Sequence, residues 1–117
     1  MSLQVNVLNA NLTIDDDTFG KMDPYAIVYV GHNHFRTQTI NGGGMNVQWN
    51  ESTQFQYQGE QQIKVVVKDS DMIHDDKVGE GEAFLPQLTP GQQVPVTVQL
   101  NNGQKFRGTV ELSVLLQ

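Results

Sequence analysis

The sequence predicts an all-β fold: an eight-stranded antiparallel β-sandwich of two four-stranded sheets, filling one domain over residues 1–117. Three observations predict it. Apolar residues recur at every second position in eight separate stretches, and no stretch carries the longer period of an amphipathic helix. The stretches are rich in valine, threonine, tyrosine and phenylalanine, which suit a pleated, half-buried surface. Between them lie short clusters of glycine, proline and asparagine at near-regular spacing, the punctuation of an all-β chain.

The first stretch, ending at Leu8, alternates Leu3, Val5 and Val7 with Gln4 and Asn6. Tyr25 to Val30 is apolar on both faces. Phe35 to Ile40, Thr53 to Tyr57, Ile63 to Lys68 and Val78 to Leu85 follow, and the chain closes with Val94 to Leu100 and Val110 to Leu116. Gly31-His32-Asn33, Gly42-Gly43-Gly44, Gly59, Pro86 with Pro90-Gly91, and Asn101-Asn102-Gly103 mark the turns. Asn102-Gly103 predicts a hairpin in which both residues take positive φ. Alternation with one polar face means that each sheet buries one side, so two sheets pack together.

Composition removes several function classes. With 7 basic and 13 acidic residues the net charge is −6, which argues against coating a phosphate backbone, so no nucleic-acid partner is expected. The absence of cysteine excludes disulfides, thiolate metal sites and cysteine nucleophiles. Ala26 to Val30 is the longest purely apolar run, far short of the ~20 residues of a membrane-spanning helix. Met1-Ser2-Leu3 offers no basic leader, and the expectation is a soluble, cytoplasmic chain.

The informative feature is where the acid sits. All 8 aspartates fall in two windows, Asp15, Asp16, Asp17 and Asp23, then Asp69, Asp71, Asp75 and Asp76, while the glutamates are dispersed. Each window leaves the C-terminal end of a predicted strand. If those strands run the same way, the windows meet at one end of the sandwich, where such crowding is costly unless cations reside there. Loop-held carboxylates without histidine or thiolate form a hard-oxygen site suited to calcium, which accepts irregular coordination, better than to magnesium. Neither window is an EF-hand. A loop starting at Asp15 has Phe19 at its fifth position and Ala26 at its twelfth, and one starting at Asp69 puts His74 where glycine belongs. Asp69 with Asp71 has the spacing for a glycosidase pair, yet a flat, crowded sandwich end offers no cleft to raise one pKa, so no enzyme is expected. His32, His34 and His74 lack partners at zinc-like spacing and are expected at the surface.

Taken in order, several of these residues resemble the C2 domain family. They are Leu3 to Leu12, Asp17, Gly20 and Asp23-Pro24-Tyr25, then Arg36-Thr37 and Trp49-Asn50-Glu51 with Phe55. Asp69-Ser70-Asp71 and Asp75-Asp76-Lys77-Val78-Gly79-Glu80 complete the set. The resemblance implies the circularly permuted type II topology, in which the first and last strands are those named above. It also implies calcium ligands at Asp17, Asp23, Asp69, Asp71 and Asp76, with Asp75 as the alternative to Asp76, and backbone oxygens at Asp16 and Ser70. Two calcium ions, or three, are implied. Two would take the net charge from −6 to −2 and three would take it to 0, reversing the sign at the loop tips.

The family's usual activity is calcium-dependent docking on anionic phospholipid, with recruitment to membranes when calcium rises. Phe19, Met22, Met72 and Ile73 are apolar residues in loops that ought to be polar, and they are expected to contact the membrane. Arg36 is the one basic residue between His32 and Ile40, too few for a specific inositide pocket. The alternative is a protein-interaction or scaffold module, dependent on calcium or not, with a protein partner.

Overall fold

In the computed structural model, residues 1–13, 22–71 and 73–117 are described. They form eight strands: β1 (Ser2–Leu12), β2 (Pro24–Val30), β3 (Asn33–Arg36), β4 (Asn46–Gln56), β5 (Gln62–Asp69), β6 (Asp76–Phe84), β7 (Gln93–Asn102) and β8 (Lys105–Leu116). The hydrogen-bonded order is β3-β2-β5-β6-β7-β8-β1-β4, with antiparallel neighbours throughout. This order folds into the two expected four-stranded layers, β3-β2-β5-β6 and β7-β8-β1-β4. They are continuous at one corner, where β6 and β7 share the single pair Glu80 and Asn101. The first and last strands lie side by side, Leu3 opposite Leu116, as the type II arrangement requires.

Period-two patterning builds the core. Leu3, Val5 and Val7 of β1, Ala26, Val28 and Val30 of β2, Ile63, Val65 and Val67 of β5, and Val110, Leu112 and Val114 of β8 are all buried between the layers. Gly81 makes the corner possible. A Cβ there would lie 1.8 Å from the carbonyl oxygen of Gln99, so a residue without a side chain is required where β6 crosses β7.

Several boundaries differ from the sequence expectation; β8, for one, begins at Lys105 and not at Val110. β1 continues to Leu12 because its register against both β4 and β8 shifts between Val7 and Asn9. This bulge moves the buried set from odd positions to Ala10 and Leu12, which hides the strand from an alternation count. β3 stops at Arg36 instead of running to Ile40. Thr37 is buried; its N–H still donates to Ala26 O at 2.9 Å, but the return bond from Ala26 N–H goes to Thr37 Oγ1 at 2.9 Å, so a side chain takes one of the two backbone bonds and the ladder ends. β4 begins at Asn46, eleven residues long, and carries Trp49 into the core past Asn50, which sits at φ 52°. The last hairpin forms one residue later than expected: Asn102 pairs with Lys105, Gly103 alone has positive φ (62°), and Asn102 stays in the strand.

Candidate metal centre

The strand ends that flank both aspartate windows gather at one pole. Pro24, the first residue of β2, pairs with Asp69, the last of β5, and Asp69 pairs with Asp76, the first of β6. Backbone bonds join neighbouring connections to this row: Ser70 N–H to Asp23 O (2.9 Å), Gly44 N–H to Met22 O (3.2 Å) and Leu12 N–H to Met45 O (2.7 Å). Asn102 Nδ2 donates to Lys77 O at 3.2 Å, which brings the β7–β8 hairpin to the same pole.

Asp23 is the joint. Its N–H donates to Asp69 Oδ1 at 2.8 Å, and its own Oδ1 accepts from Gly42 N–H at 2.6 Å. Three connections are therefore tied at one residue: the segment before β2, the 38–45 loop and the 70–75 loop. Gly42 holds φ at 67°, the left-handed region that favours glycine. Its amide is a contact that sequence reading missed, because Gly42-Gly43-Gly44 reads as a turn.

The 70–75 loop has its own internal frame. Asp75 Oδ1 accepts from Asp71 N–H at 3.1 Å, and Asp75 Oδ2 accepts from Tyr25 O–H at 2.5 Å. The Arg36 guanidinium carbon stands 3.8 Å from the centre of the Tyr25 ring. The Tyr25 hydroxyl, followed by the Asp71 amide, holds the Asp75 carboxyl below the ordinary aspartate value, although partial desolvation opposes this. Burial, followed by the bond to Asp75, pushes the Tyr25 phenol up. Tyr25 reads in sequence as a packing residue. It packs, and it also carries this hydroxyl contact, a second role that alternation cannot reveal.

Of the remaining expected residues, Asp76 is exposed, with its Oδ1 3.2 Å from His74 Nε2. Asp71 is exposed and Ser70 half-buried. Asp16, Asp17, Phe19 and Met72 lie outside the described residues. Ile73 is 89% exposed, whereas Met22 is half-buried and packs against the core. Among the described residues, no three acidic or histidine side chains are gathered closely enough to hold a metal ion. Asp23, Asp69 and Asp75 are each turned toward a backbone or hydroxyl donor instead. Lys77, next to Asp76, lies 3.1 Å from Glu80, and Lys64, further along β5 from the pole, lies 3.7 Å from the same glutamate; the Lys77 hydrogen bond is the main cause holding Glu80 below its ordinary value.

Residues 1–100 match the family model of the C2 domain, and the chain belongs to this family. Over 107 residues it is 33% identical to extended synaptotagmin-3 of Homo sapiens, covering 86% of this chain and 12% of that protein. It is 30% identical to synaptotagmin-4 of Arabidopsis thaliana over 97% of this chain and 22% of the relative. The chain thus spans under a quarter of the length of these two relatives. In structure it is similar to a C2 domain of plant extended synaptotagmin 1, with a TM-score of 0.85 at 22% identity, covering 97% of this chain and 92% of the other.

Proposed function

We propose that this chain binds calcium through the aspartates at one pole of the sandwich and thereby docks on anionic phospholipid. The observation that carries the reading is the contact between the two windows, Asp23 N–H to Asp69 Oδ1 at 2.8 Å, reinforced by Ser70 N–H to Asp23 O. Carboxylates from distant parts of the sequence share one pole, and their donor set is all oxygen, the chemistry that calcium prefers. Asp23, Asp69, Asp71 and Asp76 are the described candidates, and Asp17 completes the set expected from the family.

A bound cation would supply positive charge where the chain is otherwise acidic and would present coordination positions to a lipid phosphate. The protein's part is positional. The Gly42 amide orients the Asp23 carboxylate, the Asp23 amide orients that of Asp69, and both bonds engage Oδ1. Ile73 stands exposed on the same loop, an apolar side chain placed to enter the headgroup layer beside the ions. By linkage, membrane and ion each tighten the other's binding.

Co-sedimentation with phosphatidylserine vesicles tests the reading. Pelleting in calcium, lost in chelator and lost in Asp23→Asn and Asp69→Asn, is the expected result. Pelleting that ignores chelator refutes the calcium step, and no pelleting in either condition moves the function to a protein partner.

A further inference from the structure

We propose that Asp75 is the anchor of a latch rather than a calcium ligand, and that Tyr25 is a positioning residue which holds the 70–75 loop in register with the start of β2. The consequence for calcium affinity rests on the function proposed above; the latch itself does not.

Both Asp75 oxygens already have directed donors, Tyr25 O–H on Oδ2 and Asp71 N–H on Oδ1. The tyrosine cannot swing away easily. Its residue is 3% exposed, it pairs with Lys68 across β2 and β5, and the Arg36 guanidinium lies over its ring. The hydroxyl is therefore a fixed donor projecting from a strand, more rigid than any donor a loop could supply. Through Asp75 it sets the backbone of Asp71, and it does so two residues along β2 from Asp23. One short strand segment thus positions ligand candidates on both sides of the pole. Asp76, by contrast, is exposed and contacts an exposed histidine, so its carboxylate can turn toward an ion without breaking a buried bond.

A loop fixed in advance spends less binding energy on ordering when the ion arrives. Tyr25→Phe removes the hydroxyl and leaves the ring beneath Arg36. It should weaken calcium binding about three- to tenfold, the effect of one lost hydrogen bond. Asp75→Asn should weaken it by a similar factor, and the double variant should be no worse than either single, because both break the same contact. Asp76→Asn should lose far more.

Titration calorimetry of the four variants reads this directly, alongside hydrogen exchange of the Asp71 amide in chelator. That amide should exchange faster in both Tyr25→Phe and Asp75→Asn than in the wild type. If Asp75→Asn abolishes binding as Asp76→Asn does while Tyr25→Phe changes nothing, Asp75 is a ligand and the proposal fails. If the wild type binds no calcium, the function proposed above fails, and the exchange rates decide the latch alone: an Asp71 amide indifferent to both substitutions overturns it.

Discussion

Asp69→Asn separates the charge of the candidate site from its architecture. Asparagine keeps an Oδ1 acceptor of the same reach, so the bond from Asp23 N–H survives and the joint between the two windows stays closed. What disappears is one negative charge in a row that includes Asp76. Without added calcium the variant should therefore stay within about 0.5 kcal/mol of the wild type, as surface substitutions that keep their contacts do. With calcium at a hundred times the wild-type Kd, mass action adds about 2.7 kcal/mol to the wild type. An unfolding entropy of about 2.1 cal/mol/K per residue over 117 residues makes that close to 11 °C in Tm. The variant should show a small fraction of this shift, read by calorimetry or by near-ultraviolet circular dichroism of Trp49. An equal shift in both proteins would refute the assignment of Asp69 to the ion. A variant already several degrees less stable in chelator would refute the argument that asparagine preserves the joint.

Other outcomes follow from the same contacts. Gly81→Ala should cost about 3 kcal/mol in urea unfolding, the upper range for overpacking, because the new Cβ meets backbone at the Gln99 carbonyl and not a movable side chain. Ile73→Ser should leave thermal stability and calcium binding unchanged, since the side chain is exposed, yet weaken vesicle association by roughly tenfold, the worth of one half-inserted aliphatic side chain. The depressed Asp75 carboxyl contributes stability that is fully present above its unfolded value. That stability is lost as pH falls from the ordinary aspartate range through the lower folded value. Acid unfolding of Tyr25→Phe should accordingly show a weaker pH dependence below about pH 4 than the wild type: the variant is the less stable protein at neutral pH, and the difference closes as pH falls.

What was legible in the sequence was the alternation and the segregation of aspartate. Leu3-Val5-Val7, Ile63-Val65-Val67 and Val110-Leu112-Val114 each state which face is inward, and all three runs are buried as read. Alternation fails where the backbone breaks its own period. The bulge after Val7 shifts the buried set by one, and Asn50 at positive φ lets β4 run on through a stretch that looks polar. Contacts between loops were not legible, because they depend on where strands end in space. Nothing in Gly42-Gly43-Gly44 says that its first amide faces Asp23. Nor does Asp23-Pro24-Tyr25 reveal that its tyrosine reaches fifty residues onward to Asp75.

These loop contacts change how aspartate substitutions at the pole should be interpreted. Asp23, Asp69 and Asp75 each accept a bond that ties one connection to another or closes a loop on itself. An alanine at any of them deletes charge and strut together, so lost vesicle binding would not distinguish a missing ligand from a displaced loop. Asparagine removes the charge while retaining one acceptor, which suffices at Asp23 and Asp69, where the described bonds use Oδ1. It does not suffice at Asp75, where two donors converge on two oxygens and the amide nitrogen of asparagine would face one of them. The same substitution is therefore a charge probe at two positions and a latch-breaker at the third, a distinction set by hydrogen-bond geometry and not by residue type.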